Sequence, residues 1–239
     1  MENGEIKMYG LLPKRPDITE AQFHRHWSTI HRDHALKIRR MRRYVQSHRT
    51  DGTVPGIRRI RYDGVPECWY DNLDAALGMR QDPDYTENAF PDEPNFSDMA
   101  TKGYVMTRTR LLSGPTLDRD TSAIKAIIMV RRRPEYSVDD FQDRWWSFAE
   151  NLEDALPSVM KTAASVTDAR TYDPDGRVGI AAPEFDGFAE AWWTDRSTFD
   201  RSWSQAGESV LASLEKLADL DASAAGLFEE LHVIWPSEQ

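Results

Sequence analysis

The second half of this chain repeats the first, and that feature constrains the fold more than any other. Ile6, Arg15-Pro16, Phe23 and Trp27 recur 118 residues later as Ile124, Arg133-Pro134, Phe141 and Trp145. Farther along, Asp63-Gly64, Glu67 and Trp69 recur as Asp186-Gly187, Glu190 and Trp192, now 123 residues apart. The second copy therefore carries a longer middle loop, around Tyr172 to Pro183. A fixed-offset repeat of this kind is one structural unit written twice. The turn-rich Ser113-Gly114-Pro115-Thr116 divides the copies into residues 1–115 and 116–239.

Within the first copy, Ile6 to Leu12 is a short apolar run ended by Pro13 and Pro16, which suits a strand. Asp17-Ile18-Thr19-Glu20 supplies capping residues for a helix whose basic end, Arg39 to Arg43, complements the helix dipole. Arg43 to His48 reads as a second strand, and Asp63 to Tyr70 as a third. Asp71-Asn72 caps a second helix beginning at Leu73, Gln81 to Asn95 reads as loop with broken helical turns, and Gly103 to Leu112 is a fourth strand. The order is β-α-β-β-α-β. In the second copy a helix from Ser197 to about Leu217 precedes a last strand, Glu229 to Trp235. A four-stranded antiparallel sheet with both helices on one face leaves its other face apolar, and a fused second copy covers it. Any ligand cavity then lies between a sheet and its own helices.

Thr19 to Val45 holds four of the six histidines. At about 100° per residue, Phe23, Trp27, Ile30, His31, His34, Ile38 and Met41 share one helical sector. That sector is apolar except for two imidazoles, and a histidine on a packing face needs a partner or a purpose. His31 can serve as general base or acid, or simply bond a backbone carbonyl; His34 can orient it, bind a substrate oxygen, or sit half-exposed. In the second copy the two positions are Ala149 and Leu152, which points to one working half and one supporting half. Only His31 and His34 have a spacing that could share an ion, since His24 and His26 diverge on a helix. No carboxylate is fixed beside them by spacing, so no metal is expected.

Glu67 and Glu190 sit in strands that otherwise read as buried. Each is either a carboxylate with a raised pKa or half of a structural pair with an arginine. Cys68 points to the opposite strand face from Glu67 and has no base beside it. Tyr9, Trp27, Tyr44, His48 and Trp69 are pocket-lining candidates or ordinary core. Asp92, Glu93 and Asn95 precede the last strand of the first copy, where loops often act as lids.

Net charge is −10 and the pI about 5.1, which opposes binding to nucleic acid or acidic membranes. The basic runs at Arg39 to Arg43, Arg58 to Arg61 and Arg131 to Arg133 are then solvated faces or ion-pair partners, or they steer an anionic ligand. A single cysteine excludes an intrachain disulfide framework. No apolar run approaches the roughly 20 residues of a membrane span, and the N-terminus has no signal-like core. We expect a cytoplasmic protein. There is no glycine-rich phosphate loop, no Gly-x-Ser-x-Gly elbow and no CxxC, so nucleotide-dependent and serine-hydrolase chemistry lack support.

Lys14-Arg15-Pro16, Phe23, Trp27, His31, Arg43-Tyr44-Val45-Gln46, Asp63-Gly64, Glu67, Trp69, Asp92-Glu93 and Asn95-Phe96 together resemble the EthD family. The second copy keeps this pattern only at Arg133-Pro134, Phe141, Trp145, Asp186-Gly187, Glu190 and Trp192. The resemblance implies an α+β fold: two tandem ferredoxin-like repeats whose antiparallel sheets pack together as an intrachain pseudo-dimeric α/β barrel, the chain being a monomer of that kind or a homodimer. It also implies a small-molecule cavity without an obligatory cofactor and places the family's helix histidine at His31. Arg32 and Asp33 depart from the small residue and proline usual after it. The expectation is a cofactor-independent lyase or isomerase, most plausibly a dehydratase, acting on a small hydrophobic, aromatic or polyketide-like compound. His31 and His34 are its catalytic residues, and Tyr9, Trp27, Tyr44, His48, Glu67 and Trp69 bind substrate. A cofactor-free monooxygenase on a phenolic substrate and a non-catalytic binding protein are the alternatives.

Overall fold

Thr19 starts the leading helix with a reciprocal cap. Its hydroxyl accepts from the Gln22 backbone N–H at 3.2 Å, and its own N–H donates to the Gln22 side chain at 2.8 Å. The computed structural model, which describes residues 4–114, 123–172 and 181–235, shows what that helix packs against.

The chain folds into two compact units. One gathers Met1–Arg49, Arg61–Met106 and Glu230–Gln239; the other Thr50–Ile60 and Thr107–Glu229. In the first unit, strands β1 (Ile6–Leu11), β2 (Arg43–Arg49) and β3 (Gly64–Tyr70) form an antiparallel sheet in the order β1-β3-β2. Met8 and Tyr44 both sit opposite Cys68, so the three side chains share a face. Helices α1 (Glu20–His26), α2 (Arg32–Ala35) and α3 (Leu73–Gly78) accompany that sheet. The core of this face includes Ile6, Met8, Ile38, Met41, Tyr44 and Tyr70, with Met106 and Val233 completing it. After α3 the chain makes only short turns: a 3-10 turn at Met79–Gln81, a π turn at Tyr85–Ala89, α4 (Phe90–Asp92) and a 3-10 turn at Glu93–Asn95. Pro91 and Pro94 keep it from becoming one helix. Strand β4 (Gly103–Ser113) follows.

In the second unit the sheet order is β8-β5-β7-β6-β4, built from β5 (Ile124–Arg132), β6 (Lys161–Thr167), β7 (Gly187–Trp193) and β8 (Ala218–Ile234). Helices α5 (Val138–Ala149), α6 (Leu152–Ala155) and α7 (Arg196–Leu214) bury Trp145, Phe199 and Trp203 in one core with that sheet. The fold class is α+β, as the repeat implied. β8 begins at Ala218, not Glu229. Ser223 to Phe228 are all buried, so the stretch lacks the inside–outside alternation by which a strand is recognised. Most of the expected long middle loop lies outside the described residues.

The repeated residues hold the same positions in both units. Trp27 and Trp145 are fully buried, and each lies over a glycine. A Cβ on Gly64 would stand 2.3 Å from the Trp27 ring, and one on Gly187 would stand 2.9 Å from the Trp145 ring. Asp63 and Asp186 accept from the backbone N–H groups of Lys14 and Arg132 at 2.8 and 2.9 Å. Glu67 pairs with Lys7 at 2.7 Å and Glu190 with Lys125 at 2.5 Å, all four side chains buried. The structural partner of these glutamates is a lysine, not the arginine expected. The basic runs are largely taken up by ion pairs, among them Arg39–Asp84 and Arg40–Asp82.

Candidate active site

The leading helix buries Phe23, Trp27, His31 and Ala35, four residues apart each time. On a regular α-helix that spacing drifts by about 40° per step. A π turn at Trp27–His31, with the Arg32 N–H reaching back to the Trp27 carbonyl, absorbs the drift and holds His31 in line with Trp27. The extra residue displaces Ile30 from the expected sector, and it is 51% exposed. The helix also ends at Ala35, so Ile38 and Met41 are buried from a turn.

His31 is 7% exposed, and its ring meets Asp92, a buried residue from α4. A carboxylate only accepts, so the imidazole nitrogens facing it carry hydrogen. His31 Nδ1–H donates to Asp92 Oδ2 at 3.0 Å, while Oδ1 accepts from His26 Nε2 at 2.9 Å and Asn95 Nδ2 at 3.1 Å. Burial works against the charge on Asp92, but the hydrogen bonds from His31, Asn95 and His26 outweigh it and hold the carboxyl well below the usual carboxylate range. In the neutral form of the ring this bond selects one tautomer, with the lone pair on Nε2. Phe96 packs against it, ring centres 4.8 Å apart.

His31 lines a cavity of about 40 Å³ between the β1-β3-β2 sheet and the helices of this unit, together with Trp27, Tyr44, Cys68, Tyr85 and Glu93. Glu93 is buried beside Lys102, with which it forms an ion pair, and accepts from the Tyr85 hydroxyl at 2.9 Å. The Tyr44 oxygen accepts two hydrogen bonds, from Trp27 Nε1 at 3.0 Å and Gln46 Nε2 at 3.1 Å. Burial raises the Tyr44 pKa far above the ordinary phenol value, so this group remains a phenol at any working pH. The Cys68 thiol is pushed up in the same way.

Of the residues singled out from sequence, His31, Trp27 and Tyr44 meet at this cavity. His48 lies one step back, against the Trp27 ring at 4.5 Å and bonded to Gln46. His34 is half-buried and does not line the cavity; its Nδ1 has no hydrogen-bond partner among the described residues. Tyr9, Glu67 and Trp69 alternate onto the other face of the sheet. There Lys7 Nζ lies 4.3 Å from the Tyr9 ring centre and 4.8 Å from that of Trp69, and Ser47 donates to Glu67 at 2.5 Å. Sequence reasoning missed Asp92 as the partner of His31, and also missed Gln46. Asp92 falls in a stretch that reads as loop, and its place in the Asp92-Glu93, Asn95-Phe96 pattern is the available signal. Among the described residues no cluster of three or more His, Cys, Asp or Glu could hold a metal ion. No helix there is long and apolar enough to cross a membrane.

Fold and site together define an α+β protein of ferredoxin-like architecture whose first unit carries a carboxylate-held histidine at the wall of a small cavity. Residues 15–100 match the EthD domain, so that stretch is similar to this family. No curated protein matches the chain. An anthrone oxidase-like protein of known structure superposes with a TM-score of 0.66 at 6% identity, covering 99% of this chain and 96% of that one. A Fusobacterium nucleatum subsp. nucleatum protein provisionally named a monooxygenase gives 0.60 at 6% identity, covering 98% and 94%. One provisionally named a chlorite dismutase gives 0.53 at 10%, covering 94% and 95%. Likeness at these identities concerns the fold alone.

Proposed function

We propose that the first unit is a cofactor-independent acid–base enzyme, a dehydratase or isomerase of a small aromatic or polyketide-like ketone, supported by the second unit. The observation that carries this reading is the 3.0 Å bond from His31 Nδ1 to Asp92 at the wall of the cavity that Tyr44 also lines. His31 Nε2 takes a proton from the carbon beside the substrate carbonyl, and Asp92 stabilises the imidazolium that forms. The Tyr44 hydroxyl hydrogen-bonds the carbonyl oxygen as negative charge gathers there. For dehydration, the electron pair returns to expel a β-hydroxyl, which leaves as water with the proton from His31. The residues 1–115 and 116–239 remain our division into a working and a supporting repeat.

The cavity is smaller than the roughly 150 Å³ that a benzene ring occupies in an apolar site. Ring-sized substrates therefore enter by displacing Met79–Asn95, whose short turns contribute Met79, Tyr85, Ala89 and Glu93 to the wall. The rival reading is oxygenation, in which dissolved oxygen oxidises the carbanion left by the same proton removal. The whole-chain likeness to folds with oxidase and monooxygenase names favours it as the alternative.

The test is turnover of a panel of hydroxylated aromatic ketones, followed by product mass and oxygen uptake. His31→Ala should lower turnover by about 10²–10⁴-fold with little change in melting temperature. Full activity in that variant refutes the assignment, and oxygen consumed in step with product selects the rival.

A further inference from the structure

Tyr44 is held from behind by a chain of polar groups that none of the chemistry above uses. Gln46 Nε2 donates to the Trp27 carbonyl at 2.9 Å as well as to Tyr44. A carbonyl cannot donate, so the amide can sit only one way round, and its oxygen faces His48 Nε2 at 3.1 Å. His48 Nε2 must then carry hydrogen. Burial, reinforced by the neighbouring His24, drives the His48 pKa down to about 3, so the ring is neutral and its Nδ1 bears a lone pair. His24 Nδ1, 2.9 Å away, must therefore be the donor. Each group in the line, His24 to His48 to Gln46 to Tyr44, donates toward the cavity.

Two donors, Gln46 and Trp27, occupy both lone pairs of the Tyr44 oxygen, and among the described residues its own O–H has no acceptor. We propose that His24, His48 and Gln46 are positioning residues that lock the Tyr44 hydroxyl as an outward donor, so that this cavity takes a ligand presenting an acceptor-only oxygen, a ketone carbonyl, at Tyr44. This rests on reading the cavity as the active site, and it adds what turns the Tyr44 hydroxyl toward that carbonyl. An ammonium at the same point, which can only donate, would face a hydrogen and find no free lone pair.

Two measurements on the full-length protein test it. Long-range ¹H–¹⁵N spectra of histidine-labelled protein should show His48 protonated at Nε2 and bare at Nδ1, with His24 protonated at Nδ1. The opposite His48 tautomer, or an imidazolium at neutral pH, overturns the relay. The second uses acetophenone labelled with ¹³C at the carbonyl. Its bound C=O stretch should be lowered relative to hexane in the wild type and in His48→Gln, which keeps an N–H toward Gln46. It should be unshifted in Tyr44→Phe and in Gln46→Glu, where the new carboxylate takes the Tyr44 proton, with affinity about fivefold weaker. Tyr44→Phe, which replaces one ring by another, carries the test if Gln46→Glu does not fold. An unshifted carbonyl in the wild type, or no binding, overturns the ligand class. His31→Ala should keep both signatures, so failure of the catalytic reading and failure of this one are told apart.

Discussion

Gly64→Ala puts the central packing of the first unit to a quantitative test. A Cβ at Gly64 would lie 2.3 Å from Trp27 Cζ3, 2.8 Å from Cη2 and 3.0 Å from Cε3. Ordinary contact begins near 3.4 Å, so the indole must retreat by about 1 Å. It has little room to do so: it is fully buried, with Phe23 at 5.6 Å and His48 at 4.5 Å between ring centres, and its N–H is bonded to Tyr44. Overpacking of this kind costs about 1–3 kcal/mol, and loosening the bond to Tyr44 adds about 1 kcal/mol. Alanine's smaller chain entropy returns less than that. The net loss of about 1–3 kcal/mol lowers the melting temperature by very roughly 2–12 °C for a chain of this size. The measurement is thermal unfolding by near-ultraviolet circular dichroism. Trp27→Phe removes the clashing six-membered edge, so the double variant Gly64→Ala/Trp27→Phe should be less destabilised than the sum of the singles. Gly187→Ala, whose nearest Trp145 atom is at 2.9 Å, should cost less. A Gly64→Ala protein melting within about 2 °C of wild type, or strict additivity in the double, refutes the argument.

Lys7→Met strands a buried Glu67 carboxylate beside Ser47 and should cost about 3–5 kcal/mol in urea unfolding, whereas Lys7→Met with Glu67→Leu should recover most of it. Equal losses in the single and the double would show that the ion pair is not what holds this face. Asp92 has its folded pKa below its unfolded value, so the stabilisation it brings is present above about pH 4 and is lost as the pH falls through the folded pKa. Asp92→Asn should therefore flatten the loss of stability below pH 4, and an unchanged acid limb would sink the assignment.

What could be read from sequence was what sterics repeat. Phe23, Trp27, Gly64 and Glu67 have counterparts at fixed offsets because a large ring over a glycine leaves little freedom in either residue. The partner of Glu67 was readable by the same rule, since Lys7 and Lys125 share the 118-residue offset of Ile6 and Ile124. The π turn was not, because periodicity analysis assumes a constant angle per residue, and one inserted residue moved Ile30 to solvent. Nor was the bond from His31 to Asp92: 61 residues separate them, and only the path of the turns between Met79 and Asn95 brings them together. The substrate-binding candidates on the three strands parted by the face of the sheet they occupy. Tyr44 faces the cavity, whereas Tyr9, Glu67 and Trp69 gather around Lys7.

The second unit shows which parts of this design are structural. Moving 118 residues along the chain replaces His31 by Ala149, Tyr44 by Thr162, Gln46 by Ala164 and His48 by Val166, all buried. The glycine clasp, the aspartate bonded to a backbone N–H and the buried Lys–Glu pair all survive, so the fold does not need the histidine or the relay. Trp145 shows this most directly. Its counterpart Trp27 donates to Tyr44, but with threonine at 162 the Trp145 Nε1 has no hydrogen-bond partner among the described residues. A buried unpaired N–H costs about 1–3 kcal/mol, and the indole is kept despite that, so its packing over Gly187 must be worth more than the lost bond. Packing alone is thus enough to retain the tryptophan. The tyrosine, glutamine and histidines that surround its twin in the first unit need another reason to be there, and the cavity beside His31 supplies it.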